Sequence, residues 1–380
     1  MIGSHSRCVA TIYLAGFLQG SAFVLVPASA TVLATAPYSF SASAYALLFL
    51  PQSGGAIIGA AAAGWVQRRL GVARLFRFGL IVNGLAMLLL VAAAQAGGPH
   101  AYALLLAATL LLGLGFGWTV TSVNRYAAQF FSGSAGVAIT LLNAVIGAAT
   151  ALSPLLLRAL AGHWNWGLWP LLLAAGFSIA AVPMLPEDRV GSGTAFWPTG
   201  VLPFVVLVLI YAICEGTFGS WASVYVSVDK HLGDRTGATA LSVFWGSMTL
   251  GRVAATLIQE RWLSRRTQLC ISAFGIASSF ASLPWLSGRA QLIGAFALAG
   301  AACSIYFPFL MAFGLERFRG QQTPVAGLLV AALMAGEGLG SYGSGLLQPG
   351  VHLSLIYFAS AMWGVPLMVG AWIAGRPPAR

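Results

Sequence analysis

The sequence predicts an all-α membrane protein of twelve transmembrane helices, arranged as two pseudo-symmetric six-helix bundles. Three observations predict it. Of 380 residues, 59% are apolar and only 7% charged, whereas a soluble domain charges about a quarter of its positions. The apolar residues gather into twelve runs, each close to the roughly 20 residues that a helix needs to cross hydrocarbon. Those runs fall six and six about Pro183–Pro198, a stretch with Glu187, Asp188, Arg189 and Gly191-Ser192-Gly193 that reads as a linker.

In the first half the predicted spans are Cys8–Thr35, Ala44–Val66, Leu75–Ala96, Tyr102–Tyr126, Ala135–Leu157 and Trp166–Leu185. In the second they are Val201–Val226, Thr236–Gln259, Gln268–Leu286, Gln291–Phe313, Pro324–Leu347 and Leu353–Ala374. Each is bounded by proline, glycine or charge. Helices are the open-chain structure that satisfies every backbone N–H and C=O within one segment in lipid. The domain organisation expected is a bundle over 1–185, a cytoplasmic linker over 186–200 and a second bundle over 201–380. Ala28-Ser29-Ala30 mimics a signal-peptidase site, but the run before it is too long and carries Gln19, so it is read as part of the first span.

The net charge of +11 sits in short clusters between apolar runs, which argues for a membrane surface and against nucleic acid. With the amino terminus in the cytoplasm, Arg7, Arg68, Arg69, Arg74, Arg77, Arg125, Arg189, Arg261, Arg265, Arg266, Arg317, Arg319, Arg376 and Arg380 fall on that side. Arg158, Lys230, Arg235 and Arg289 fall opposite, and Arg252 lies inside a span. That asymmetry follows the positive-inside rule and predicts both termini in the cytoplasm, in a multi-pass protein of the inner membrane. Cys8, Cys214, Cys270 and Cys303 are widely spaced, with no C-x-x-C, and suggest neither disulfides nor a zinc site. No metal or cofactor is expected. An offset of about 196 lays Gln19-Gly20 on Glu215-Gly216, Gly55 on Gly251 and Arg69 on Arg265, as two parallel repeats would.

Full charges inside spans carry the functional reading. Each costs at least roughly 2.5 to 3.5 kcal/mol at mid-depth. Glu215 and Glu337 are the two intramembrane acids, both near mid-span, where hydrocarbon disfavours the ionised form. They are the proton-coupling candidates. Gly336, Gly338 and Gly340 around Glu337 also suit a tight helix contact, as do Gly113, Gly115 and Gly117 in span four. Arg252 reaches far enough to meet a neighbouring acid or an anionic substrate. Gln19, Trp118, Asn124, Asn143, Trp221, Tyr225, Trp245 and Tyr306 supply amides, indoles and phenols suited to a polar solute; the competing role for each aromatic is helix packing or the interfacial belt. No hydrolase serine–histidine arrangement and no H-E-x-x-H is present, and the five histidines lie in or beside loops. An enzyme is not expected.

Twelve spans in two halves, with arginines after spans two and eight, resemble the major facilitator superfamily over essentially the whole chain. Gly64-Trp65-Val66-Gln67-Arg68-Arg69-Leu70-Gly71 resembles its loop signature G-x-L-x-D-R-x-G. Gly64, Arg69 and Gly71 match, while Arg68 stands where the family carries Asp; these four form the candidate gating loop. Tyr211-x-x-x-Glu215, Gly219-Ser220-Trp221, Tyr225, Phe244-Trp245-Gly246, Gly251-Arg252, Asn124, Leu142-Asn143 and Ser304-Ile305-Tyr306-Phe307-Pro308 resemble the fucose permease-like sugar:proton symporters. That branch's acids in helices one and four are missing: Gln19 occupies span one and span four has none.

The resemblance implies a major facilitator fold and a cavity faced by helices one, four, seven and ten, which favours Gln19, Asn124, Glu215, Trp221 and Tyr306. The expected function is secondary active transport of a small polar solute, a sugar among the candidates. One bundle rocks against the other, protonation of Glu215 couples the cycle, and Glu337 and Arg252 bias it. Proton-driven efflux of a hydrophobic or cationic compound is the first alternative. A soft-metal importer using Cys214 and Cys303, a channel and a non-transporting receptor are lesser ones. The expected partners are the small-molecule substrate, protons and membrane lipid, with the protein a monomer.

Overall fold

The computed structural model describes residues 2–131, 135–183, 185–187, 200–257, 263–318 and 322–374. All regular structure among them is helical, in twelve consecutive segments that follow the predicted spans. In the first half, α1 is Ile2–Phe23, continued by Leu25–Ala28 and Ala30–Leu33, and α2 is Ala42–Leu47 followed by Phe49–Leu70. Then come α3 (Val72–Gln95), α4 (Gly98–Phe130), α5 (Ala135–Ala161) and α6 (Leu168–Ala181).

In the second half, α7 is Leu202–Val224 with a π-helical turn at Tyr225–Asp229, and α8 is Asp234–Leu257. Next are α9 (Arg265–Ser282, closed by the 3-10 turn Leu283–Trp285), α10 (Arg289–Cys303 and Tyr306–Arg317) and α11 (Gln322–Leu347). Last is α12 (Leu353–Ser360, the 3-10 turn Ala361–Trp363, and Gly364–Ala374). Among the described residues, eight segments are long and apolar enough to cross a membrane by length and composition: those of α2, α3, α4, α5, α7, α10, α11 and α12. Three of the others are shorter or more polar. α6 has 14 residues, α8 opens on Asp234-Arg235 and carries Arg252, and α9 opens on Arg265-Arg266.

Four of the interruptions have one cause. Proline has no N–H and its ring strikes the carbonyl four residues upstream, so it kinks or breaks a helix there; α5 runs on past Pro154, whereas four other helices divide. Pro27 follows the break after Phe23, Pro51 the break after Leu47, Pro308 the break at Ser304-Ile305, and Pro366 the turn at Ala361–Trp363. The unbroken spans expected for α1, α2, α10 and α12 are therefore each divided.

The chain forms two compact units. One comprises 1–41 and 47–192, the other 42–46 and 193–380. Most of the expected linker, 188–199, lies outside the described residues. The short stretch 42–46 groups with the second unit, where the Tyr45 hydroxyl donates to the Ser220 carbonyl at 2.8 Å.

Within each unit, helices approach backbone to backbone at glycine. In the first, a Cβ at Gly20 would strike the Ile146 carbonyl, and one at Gly113 the Gln52 carbonyl. In the second, a Cβ at Gly216 would strike the Glu337 carbonyl, and Gly336 and Gly340 meet Leu209 and Ile213 in the same way. Such seams suit helices in lipid, where association relies on close packing. The offset of 196 that aligned Gly20 with Gly216 thus aligns two equivalent contacts.

Candidate functional site

The second unit buries an ionisable cluster on α7, α8, α10 and α11. Tyr211, Glu215 and Gly219 follow one another at four-residue spacing and share a face of α7. Glu215 is only 3% exposed, and its Oε2 is buried with no protein partner. Tyr211, fully buried, neighbours that carboxyl and donates its hydroxyl to the Cys303 carbonyl at 2.7 Å. Arg252 is half-buried on α8 and acts electrostatically on both Glu215 and Glu337. It forms an ion pair with neither. Its Nε donates to the Ser304 carbonyl at 3.2 Å, and Nη2 lies 3.2 Å from Met248 Sδ, one turn earlier on α8.

The break in α10 makes this arrangement available. Ser304 lies four residues before Pro308, so its carbonyl has no helical N–H to receive, and Arg252 takes it. Half-buried Glu337 stands on α11 directly behind Gly216, so α7 and α11 bring the two acids into one seam.

Trp245 packs its ring against Gly219, one turn beyond Glu215, and its indole N–H is also buried without a partner. Trp245, Met248 and Arg252 recur at helical spacing along one side of α8. Other predicted residues spend their polar atoms on the bundle. Trp221 Nε1 donates to the Ser341 carbonyl at 2.9 Å, Tyr225 to the Leu283 carbonyl at 2.9 Å and Tyr306 to the Leu367 carbonyl at 2.6 Å. Tyr306 also stacks on Tyr211, with ring centroids 5.4 Å apart.

In the first unit, Gln19 is fully buried at mid-α1. Its Oε1 accepts from Asn83 Nδ2 at 2.7 Å, and the same Nδ2 donates to Thr119 Oγ1 at 3.1 Å. Gln19 Nε2 is left buried and without a protein partner. Asn83 is a site-forming residue that the sequence reading missed; the signal was an amide in the middle of the apolar run of span three. Gly115 makes room for it, since a Cβ there would lie 2.6 Å from Asn83 Oδ1. Trp118 packs on Ala63, Val66 and Leu75, with its indole N–H unpartnered. Asn124 and Asn143 each donate to the carbonyl four residues back on their own helix, at 2.9 Å, and Asn143 is exposed. Neither joins the Gln19 cluster through a hydrogen bond among the described residues.

The loop between α2 and α3 turns at Gly71, whose φ of 89° is the left-handed region that favours glycine. Gly64 lies within α2, two turns before its end. Arg69 is exposed, with its guanidinium 4.5 Å from the Trp65 ring centroid. The side chain of Arg68 lies outside the described residues. The Glu187 carboxylate abuts Gly71, and the Tyr126 hydroxyl donates to the neighbouring Pro186 carbonyl at 2.9 Å, so an acid reaches this loop from the end of the first half. Among the described residues no three or more His, Cys, Asp and Glu side chains are grouped to hold a metal ion.

A family description, Major Facilitator Superfamily, matches residues 12–341. No curated relative matches the chain. Among solved structures, the D-xylose-proton symporter is similar with a TM-score of 0.76 and 15% identity, covering 96% of each chain. The nucleoside transporter NupG is similar at 0.73 and 12% identity, covering 97% of this chain and 98% of its own. A variant of the E. coli fucose:proton symporter FucP is similar at 0.67 and 15% identity, covering 98% of this chain and 100% of its own. At these identities the likeness is one of fold.

Proposed function

We propose, from the premise that the chain belongs to the Major Facilitator Superfamily, that it imports a small polar solute with protons through Glu215. Secondary transport is the family's activity, and the family is not one of enzymes. The polar solute, the symport, the inner membrane, the cytoplasmic termini and the monomeric state are our reading.

One observation carries the coupling role. Tyr211 has a single hydroxyl proton, and it points to the Cys303 carbonyl at 2.7 Å. That proton is therefore not offered to Glu215, whose Oε2 has no protein partner. A buried carboxylate without donors or a counter-ion is costly, whereas the neutral acid is far less so. With Arg252 turned to Ser304 instead, the arrangement fits Glu215 carrying its proton. Losing that proton would leave an uncompensated buried charge, which is costly, and would draw Arg252 away from the α10 break. Proton release and helix geometry are then linked through one guanidinium, with Glu337 adding to the pull.

For the substrate we assign Gln19 and Trp118 in the first half and Trp245 in the second, because each keeps a buried N–H without a protein partner. Similarity in fold to symporters of a sugar and to a nucleoside transporter supports hydroxyl-rich solutes as the first to try. The experiment is counterflow and gradient-driven uptake in proteoliposomes, with a panel of sugars, nucleosides and hydrophobic cations. Glu215→Gln is expected to keep exchange and lose proton-driven accumulation; normal accumulation by that variant would refute the coupling role.

A further inference from the structure

The seam between α9 and α12 ends in a pair of side chains that transport does not use. These helices run antiparallel and pack closely, with Gly364 set against Ala277. At the end of the seam nearest the start of α9, the Arg266 guanidinium lies 4.5 Å from the centroid of the Trp372 ring. That ring is 49% exposed at the last turn of α12. The adjacent Arg265 is neutralised by Glu316 at 2.7 Å. Arg266 has no acidic partner among the described residues. Further along, both helices present exposed apolar side chains: Ile271 and Phe274 on α9, Val365 and Val369 on α12.

We propose that this seam binds one anionic phospholipid, with its phosphate on Arg266 and an acyl chain along the Ile271, Phe274, Val369 and Val365 ladder. A guanidinium stacked on an indole keeps its N–H donors in the ring plane, directed outward, where they match phosphate oxygens in a fork. Tryptophan favours the headgroup level of a bilayer, so the pair sits at the depth where a lipid phosphate lies. A cation without an acidic partner among the described residues, beside an exposed apolar ladder, complements a lipid with both a negative head and long tails. A free anion would use only half of these features. Basic sites between transmembrane helices recognise acidic headgroups on these terms.

The test uses the purified, delipidated full-length protein titrated with dioleoylphosphatidylglycerol or dioleoylphosphatidylcholine. Bound lipid is counted by native mass spectrometry and the thermal midpoint followed in parallel. The expected result is retention of the anionic lipid over the zwitterionic one, with a higher midpoint. Arg266→Gln should weaken phosphatidylglycerol binding by about tenfold and erase the preference; Arg266→Lys should keep part of it. Trp372→Leu should lower the affinity with the charge intact, and it reads the same preference should Arg266→Gln not fold. Equal binding of the two lipids, an undiminished preference in Arg266→Gln, or the same stabilisation by inorganic phosphate alone would overturn the proposal.

Discussion

Ser341 repeats in the second half what Thr150 does in the first. The Thr150 hydroxyl bridges the Gly20 carbonyl on α1 at 3.1 Å and the Ile146 carbonyl one turn back on α5 at 2.9 Å. The Ser341 hydroxyl bridges the Gly216 carbonyl on α7 at 3.4 Å and the Glu337 carbonyl one turn back on α11 at 2.7 Å. With Gly20 matched to Gly216, Gln19 becomes the counterpart of Glu215, and Ile146 the counterpart of Glu337. Each half therefore shows what the other can build without its charges. At Glu337 the architecture is content with isoleucine, so the carboxyl is there for something other than packing.

Glu337→Ile is accordingly expected to leave folding stability unchanged or raised by about 1 kcal/mol, since an intramembrane acid is removed. Proton-driven accumulation should fall by roughly tenfold or more, against an effect of similar direction for Glu215→Gln. Thermal unfolding in detergent and uptake in proteoliposomes measure the two quantities separately. A variant that is both less stable and fully active would reverse the assignment.

The glycines under these bridges are the opposite case. Gly20→Ala and Gly216→Ala both push a methyl into a neighbouring backbone carbonyl, which cannot rotate away as a flexible side chain can. A loss of about 1–3 kcal/mol is expected for each, as for overpacking. Gly294→Ala is the control, because nothing lies within 4 Å of its Cβ position. Thermal midpoints of the three variants, measured side by side, should separate the first two from the third.

The offset that pairs Gly20 with Gly216 was legible in the sequence because close helix approach demands glycine at both places, and the apolar runs disclosed the helices because lipid forbids any other open-chain form. The partners were not legible. Nothing in span three marks Asn83 as the residue facing Gln19, since helix rotation and packing across sequence distance decide that contact. Trp221, Tyr225 and Tyr306 read as cavity residues from their types, but each donates to a carbonyl of a packed neighbour, which only the fold reveals. Pro308 was visible, whereas its consequence, a freed Ser304 carbonyl taken by Arg252, required the arrangement of α8 against α10.

That consequence yields a further expectation. Pro308→Ala restores an N–H four residues after Ser304, so the Ser304 carbonyl regains a helical donor that competes with Arg252 for it. The helix should become more continuous and the protein more stable by on the order of 1 kcal/mol, with transport slowed about tenfold if the break must open and close during turnover. Arg252→Lys should slow transport too, since a lysine has neither the Nε donor nor the fork. A Pro308→Ala protein as fast as the parent in counterflow would show that the break is incidental.

Asn83 allows the amide cluster of the first half to be tested apart from any charge. Its Nδ2 supplies Gln19 Oε1 at 2.7 Å and Thr119 Oγ1 at 3.1 Å, and this fixes which end of the Gln19 amide is left to donate. Asn83→Leu is close in volume but removes both donors, stranding a buried carbonyl oxygen at a cost of about 1–3 kcal/mol. If Gln19 Nε2 serves the substrate, the variant should raise KM by about tenfold, while proton coupling, which resides in the other half, persists in the fraction that folds. Removing the acceptor as well, in Gln19→Leu with Asn83→Leu, should recover much of the stability and none of the affinity, because an apolar pair strands nothing yet offers a solute no N–H. Measured together by thermal unfolding and uptake kinetics, the double variant separates a group kept for packing from one kept for binding: recovery of both quantities would mean that the amides only pack.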